Sequence, residues 1–187
     1  MENSRNNLVL HPQHLEVLFA FKSKLSNVFR DVLGIHEIHH IALTRINKKN
    51  ELMSFSSTPS LEFNLFSSVL WQYDQIYNPK WFKLCTQANW QSLYMPARYD
   101  ELYYLKQIRH AYPIGIALAA KIDDDYVIYS LASHKSCPHT KEHFANQHED
   151  FYKIGQYCSN ILNPLFIYCD SLVTESSALQ AHYETSE

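Results

Sequence analysis

Hydrophobic residues near the start of the chain follow a helical period. Between Pro12 and Leu33 they recur every three or four positions, which predicts one amphipathic helix with Gly34 at its C-terminal end. The apolar stripe comprises Leu15, Leu18, Phe19, Leu25, Val28, Phe29, Val32 and Leu33. Pro12 suits the first turn of this helix, because the N–H that proline lacks has no helical partner there.

Two later regions alternate with a period of two and predict antiparallel β-hairpins. The predicted strands are His39–Asn47 with Glu51–Ser57, and Ile114–Ile122 with Tyr126–Ser133. One face of the strand that begins at Ile114 is apolar. Its other face carries only Gly115, Ala117, Ala119 and Lys121. Because these side chains are mostly small, we expect a helix backbone or a ligand to approach the sheet closely here.

The segment between the hairpins, residues 58–112, is less regular. Its spacing predicts one helix that begins at Leu61 and another from Ala97 to Ala111. Seven aromatic residues lie close together in it: Trp71, Tyr73, Tyr77, Trp81, Phe82, Trp90 and Tyr94. Tyrosine and tryptophan combine an apolar body with a polar tip, so this cluster is either the wall of a pocket for an amphiphilic ligand or plain core packing.

A long helix, Thr140–Asn163, is predicted to close the domain and to end or kink at Pro164. We expect a disordered N-terminus at 1–11, a ligand-sensing domain at 12–170 and a polar tail or linker at 171–187. Two hairpins joined edge to edge and covered by helices predict an α+β fold, an α-β-α sandwich with a central antiparallel sheet.

Composition narrows the choice of function. The 187 residues suit one domain that needs no metal or disulfide to fold. The formal net charge of −3 and the absence of an 18-residue apolar run argue against direct binding to nucleic acid and against a membrane span. Four cysteines without a C-x-x-C pair and without a secretion signal predict reduced thiols in a cytoplasmic protein.

Candidate chemistry is sparse. Serine and histidine are plentiful, but no nucleophile motif is present, so we expect no enzymatic activity. Cys137, His139 and His143 have a spacing that can bind zinc. Histidines on helix surfaces are usually solvated, however, so we predict no metal and no cofactor.

Three segments carry a resemblance to a known family: Tyr126–Ser133, Pro113–Leu118 and the closing helix. They resemble the autoinducer-binding domain of LuxR-type quorum-sensing transcription regulators, over roughly residues 12–170. The resemblance implies a PAS-like or GAF-like α-β-α sandwich with a ligand between the sheet and a helical layer.

The same resemblance implies roles for individual residues. Gly115 matches the strand glycine of the family, Ser130 matches a hydroxyl residue that faces the ligand, and Trp90 matches a tryptophan of the pocket. Asn78-Pro79 stands where the family has Asp-Pro, whose aspartate accepts the amide N–H of an acyl-homoserine lactone. An asparagine carbonyl still accepts this hydrogen bond, but without the strength that a charge adds.

Two further head-group residues of the family, a tryptophan and a tyrosine, fall near Leu65 and Val69 and are not matched. Trp71 and Tyr73 are close to these positions in sequence. These departures argue against lactone binding but not against a ligand pocket. The residues after Asp170 are too few and not basic enough for the family's DNA-binding helix-turn-helix.

Together these observations predict a small-molecule-sensing regulatory domain, without a preference for acyl-homoserine lactones, that controls transcription through an attached or partner DNA-binding domain. A homodimer is compatible with this role. The expected ligand is small and amphiphilic or apolar. Its predicted binding residues are Trp71, Tyr73, Asn78, Trp81, Trp90, Gly115 and Ser130. The alternative is a stand-alone interaction protein or secreted effector with the same fold and no ligand.

Overall fold

The structure, a computed structural model, describes the backbone of residues 8–184 and the side chains of residues 8–173. Within these residues, six strands form one sheet in the order β1-β3-β2-β6-β5-β4. The strands are β1 (Val9–Leu10), β2 (His40–Ile46), β3 (Glu51–Ser56), β4 (Gln87–Asn89), β5 (Ile114–Ile122) and β6 (Asp125–Ser133). All neighbouring strands are antiparallel except the two-residue β1, which pairs with β3 in parallel.

Both predicted hairpins are therefore present in this sheet, and helices cover its two faces. The helices are α1 (His14–Ala20), α2 (Lys22–Arg30), α3 (Pro59–Phe66), α4 (Pro79–Phe82), α5 (Tyr99–Tyr103), α6 (Pro138–Asn146) and α7 (His148–Glu184). A π-helix, Tyr104–Arg109, continues α5. In the described part of the chain, no helix is both long enough and apolar enough to cross a membrane.

The first face of the sheet packs against α2, α6 and α7. Its buried core includes Phe29, Ile41, Phe55, Tyr129, Phe144 and Phe151. The strand alternation explains this selection, since Ile41 and Phe55 point to the same side of the hairpin β2–β3. Gly155 of α7 lies directly over Tyr129, because a Cβ at this position would be 2.3 Å from the tyrosine ring. The first and last helical regions thus cover one face of the sheet.

The second face packs against the segment between the two hairpins. Ala117 and Ala119 of β5 are buried there beside the aromatic residues of that segment. Short 3₁₀ turns and α3, α4 and α5 build this layer. The small side chains of β5 let the layer approach closely, which confirms the expectation drawn from that strand.

The predicted single helix at 12–33 is wrong, because the chain breaks at Phe21 between α1 and α2. The two helices face different neighbours, since α1 packs on β3 and α3 while α2 packs on α7. One straight helix would not reach both. Phe21 itself is half-buried, and its ring contacts Phe55 and Tyr168.

The prediction of one helix at 140–163 also needs correction. The chain breaks at Gln147 between α6 and α7, and Pro164 lies inside α7 without ending it. Proline removes one helical hydrogen bond. The residues directly after it, Leu165 and Phe166, are buried in the core of the first face, so tertiary packing holds the helix together there.

The chain ends differ from the expected disorder where they are described. Residues 1–7 lie outside the described part. Leu8 is buried, and β1 is held by hydrogen bonds from Val9 N to Asn50 O and from His11 N to Leu52 O. The expected disordered segment is therefore wrong for residues 8–11. The backbone of α7 continues to Glu184, and the assignment of 171–187 as a tail or linker remains a prediction.

We expect Gly155→Ala to destabilise the fold. In an isolated helix this change would stabilise by about 1 kcal/mol. Here the added methyl group meets Tyr129, and such overpacking costs about 1–3 kcal/mol. Urea denaturation of the variant measures the sign. The neighbouring exposed change Gln156→Ala is the control and should alter the free energy of unfolding by less than about 0.5 kcal/mol. A more stable Gly155→Ala variant would contradict this packing.

Candidate ligand-binding site

Trp90 connects the helical layer to the second face of the sheet. It follows β4, begins a 3₁₀ turn and is only 1% exposed. Its indole Nε1 donates a hydrogen bond to Ser130 Oγ at 2.9 Å. A Cβ on Gly115 would lie 2.1 Å from the indole ring, so only glycine permits this contact. Trp90, Gly115 and Ser130 therefore converge on one face of the sheet.

Asn78 does not join this group. It is half-buried, and its side-chain oxygen accepts a hydrogen bond from Lys80 N at 2.9 Å, which caps α4. Among the described residues, no hydrogen bond connects it to Trp90 or Ser130. The side-chain oxygen of Asn78 is used to cap a helix that begins with proline, and its contact with a ligand remains a prediction.

The other predicted aromatic residues lie within the helical layer. Trp71 is buried against Phe66 and Tyr77. Tyr73 is half-buried beneath the guanidinium of Arg98. Trp81 is half-buried beside the core of the second face. These three residues pack the layer, and their contact with a ligand remains a prediction.

Behind Trp90 lies a buried ion pair that the sequence patterns did not indicate. Lys106 Nζ is 2.5 Å from Asp74 Oδ2, and both side chains are at most 2% exposed. The ammonium lies 4.6 Å from the centre of the Trp90 ring and 5.2 Å from that of Tyr94. The Tyr94 hydroxyl in turn bonds Gln107. Burial raises the pKa of the Asp74 carboxyl, and the charge of Lys106 opposes this shift.

A second buried polar group adjoins this pair. His40 Nδ1 is 3.0 Å from Thr58 Oγ1, which is 2.8 Å from the Tyr112 hydroxyl. His40 Nε2 is 3.6 Å from Glu62 Oε1, which is too long for a hydrogen bond. His40 Nε2 and Glu62 Oε2 are both buried and have no hydrogen-bond partner among the described residues. The interior here thus holds unused hydrogen-bonding capacity.

Burial also determines the charges of this second group. Loss of solvation lowers the pKa of His40 to about 3, and the positive charge of Lys106 contributes in the same direction. Loss of solvation raises the pKa of Glu62 to about 8. Both side chains are therefore mainly neutral at pH 7, and the protonated Glu62 is a hydrogen-bond donor. We call the region enclosed by Asp74, Lys106, Trp90, Tyr94, His40 and Glu62 the polar chamber.

Sequence signals for the chamber existed but were weak. Asp74 stands within an aromatic run, where a carboxylate is conspicuous. His40 shares the second face of β2 with Ala42 and Thr44, since strand residues alternate. Lys106 lies in the predicted helix 97–111, but its burial depends on the π turn, which the hydrophobic period does not reveal.

The chamber borders a surface cleft of about 330 Å³. The cleft is lined by Gln107 and Gly115, which contact Tyr94 and Trp90 respectively. Ile114, Phe144 and Lys141 also line it. Among the described residues, no group of three or more His, Cys, Asp or Glu side chains is placed to hold a metal ion. The arrangement can therefore bind a polar head group through hydrogen bonds, an ion pair and aromatic faces.

Solved structures show the same fold. Escherichia coli SdiA aligns with 81% of this chain and 67% of its own, with a TM-score of 0.51 and 10% identity. SdiA in complex with octanoyl-rac-glycerol aligns with 81% of this chain and 62% of its own, with a TM-score of 0.56 and 11% identity. The ligand-binding domain of Pseudomonas aeruginosa VqsR covers 80% of this chain and 92% of its own, with a TM-score of 0.47 and 9% identity.

The chain has the fold of SdiA, which is a LuxR-type autoinducer-binding protein. This agrees with the resemblance found in the sequence. The chain spans about two thirds of the length of SdiA. No protein-family model matches the sequence, and a comparison with curated proteins finds no significant match. At 10–11% identity, the likeness to SdiA establishes the fold.

Glu62, His14 and His40 together predict a stability maximum near pH 6.5. The pKa of Glu62 is raised from 4.5 to about 8, so stability falls by about 1.4 kcal/mol per pH unit between these values. The pKa values of His14 and His40 are lowered from 6.5 to about 3, so each histidine makes stability rise with pH between these values. Below pH 6.5, the rise in stability from the two histidines exceeds the fall from Glu62. Above pH 6.5, of these three groups only Glu62 changes the stability, which therefore falls.

Chemical denaturation from pH 5 to pH 8.5 measures this profile. We expect Glu62→Gln to reduce the fall between pH 6.5 and pH 8 and to retain the rise on the acid side. The exposed change Glu142→Gln is the matched control and should leave the profile unaltered. If Glu62→Gln kept the alkaline fall, another group would have to be its source.

Proposed function

We propose that this chain is a small-molecule-sensing regulatory domain that binds an amphiphilic or apolar ligand without chemical change. The observation that carries the proposal is the polar chamber behind Trp90, in a fold shared with a protein crystallised in complex with octanoyl-rac-glycerol. Buried polar atoms without partners are costly, so their presence together in one place favours a binding role.

Each part of the site has a task in this proposal. The Trp90 ring and the small side chains of β5 form the apolar wall, and Ser130 fixes the orientation of the indole. The polar chamber receives the head group of the ligand. Binding favours the arrangement of residues 58–112 that closes around the ligand, and this change biases a dimer or an attached or partner DNA-binding domain. The domain acts in the cytoplasm and does not itself contact nucleic acid.

Mass spectrometry of the purified chain tests the proposal directly. We expect a small molecule to be released on denaturation and to be depleted in Trp90→Phe, which keeps an aromatic ring but removes the indole N–H. Tyr152→Phe is the matched control, because Tyr152 packs against Tyr129 on the first face of the sheet. Equal depletion in both variants would contradict a site at Trp90.

The alternative, an interaction or effector protein without a ligand, is supported by one observation. Lys106 already fills the space between Asp74 and the two aromatic rings, so the chamber is closed by the chain itself. If the chain releases no small molecule and extracts of small metabolites do not raise its melting temperature, this alternative replaces the sensing role.

We predict no detectable thermal stabilisation by acyl-homoserine lactones at micromolar concentration. Asn78 is neutral and caps α4, and Asp74, the carboxylate beside Trp90, is paired with Lys106. A lactone amide would therefore lack the charged acceptor that strengthens its hydrogen bond. Because tight binding raises Tm by mass action, a thermal-shift series over acyl chain lengths measures this. A rise that depends on chain length would show that the site accepts lactones.

A further inference from the structure

The ammonium of Lys106 lies in a three-sided cage. The Asp74 carboxylate touches it at 2.5 Å, and the rings of Trp90 and Tyr94 lie within 5.2 Å. The faces of aromatic rings carry negative potential and attract cations, most strongly where water is excluded. All three walls therefore favour a cation and disfavour an anion.

The walls of this cage are held in place without Lys106. Asp74 and Tyr94 belong to segments that pair as a short antiparallel bridge, and Asp74 also caps the next 3₁₀ turn. Trp90 is fixed by its hydrogen bond to Ser130. Removal of the Lys106 side chain would thus leave a preformed site, which lowers the cost of binding another cation.

Lys106 itself comes from an unusual element. It lies in the π-helix Tyr104–Arg109, whose wide turn places three successive residues, Leu105, Lys106 and Gln107, in the interior. Such turns are rare and occur frequently at functional sites. The side chain of Lys106 thus enters the cage from an element that differs from those that build the walls.

Further polar groups lie beside the cage. Among the described residues, His40 Nε2 and Glu62 Oε2 have no hydrogen-bond partner, so a second polar group on a ligand would find a donor or acceptor. The cleft lined by Gln107 and Gly115 approaches the Tyr94 and Trp90 side of the cage from the surface. An apolar chain attached to the ammonium would have the Trp90 ring and the alanines of β5 beside it.

We propose that Asp74, Trp90 and Tyr94 form a binding site for an ammonium group, which Lys106 occupies as an internal ligand in this structure. The ligand sensed by the domain is then an amphiphilic amine whose ammonium replaces that of Lys106. This choice of ligand rests on the proposed sensing function, whereas the ammonium site itself does not.

Rescue of a Lys106 variant tests the ammonium site. The wild-type 187-residue chain, Lys106→Ala and the double variant Asp74→Asn/Lys106→Ala are each melted at pH 7 alone and with millimolar n-hexylamine. Hexanoate and 1-hexanol serve as the anionic and neutral probes of the same chain length. The double variant is the matched control, because it keeps the enlarged cavity and removes the carboxylate charge.

We expect Lys106→Ala to melt below the wild type, because its Asp74 is left buried without a partner. Hexylamine should raise the Tm of Lys106→Ala by about 3 °C or more, and hexanoate and hexanol should raise it much less. The double variant should show no preference for the amine. The wild type should respond more weakly than Lys106→Ala, because the tethered Lys106 competes for the cage.

Three results would overturn the ammonium site. Equal rescue by hexanol would show a merely apolar cavity, and preferred rescue by hexanoate would show that the site takes anions. Equal rescue of the double variant by the amine would show that Asp74 plays no part. If Lys106→Ala does not fold alone, refolding from urea with each probe replaces the melt. Recovery of the fold with hexylamine but with neither other probe supports the proposal. Failure to refold with every probe overturns it.

The outcome is separable from that of the sensing function. If hexylamine rescues Lys106→Ala but the wild-type chain releases no small molecule, the cage is an ammonium site that Lys106 alone uses, and the sensing function fails. If the wild-type chain releases a ligand without an amine, the sensing function stands and the assignment of the ligand class fails.

Discussion

The contact of the Trp90 indole with Gly115 is the constraint on which the second half of the molecule depends. A side chain at Gly115 would occupy the space of the ring, so the absence of a Cβ allows the helical layer to approach the sheet. The hydrogen bond to Ser130 then fixes the ring in one orientation. With the indole held this way, one of its faces covers Lys106, and its ring centre lies 5.9 Å from that of His40. The polar chamber exists because this one side chain is immobilised against β5 and β6.

The polar chamber contains two pairs of buried titratable groups, and the two pairs differ in charge. Lys106 and Asp74 form an ion pair. Glu62 and His40 instead lose their charges, because burial raises the pKa of the acid to about 8 and lowers that of the histidine to about 3. Replacement of a buried pair by apolar residues is often neutral or stabilising, so such a network is weak evidence for stability alone. Its concentration behind one tryptophan is the observation on which the proposed recognition of a polar group rests.

The sequence contains enough local information to predict the framework. Alternation in β2, β3, β5 and β6 identifies both hairpins and the faces of their side chains, since a strand exposes its residues with a fixed period of two. The small residues of β5 predict that another layer approaches the sheet closely. A family resemblance based on short motifs predicts that Trp90, Gly115 and Ser130 belong to one site, and the structure places them in contact. The strand features depend on short-range geometry, which neighbouring residues determine between themselves. The contact of Trp90 with Ser130 joins residues that are 40 positions apart, so only the family resemblance, and no local pattern, indicated it.

Only the tertiary structure decided the features that depend on distant neighbours. The helix break at Phe21 follows from two different packing partners, and α7 passes Pro164 because Phe166 is buried beyond it. Asp74 and Lys106 are 32 residues apart in sequence, and no periodicity relates them. Composition and hydrophobic pattern by themselves determined the layers of this protein and the four strands of its two hairpins, but not the short strands β1 and β4. Which polar residues meet inside it was decided by long-range packing, because burial and pairing arise only when the layers close.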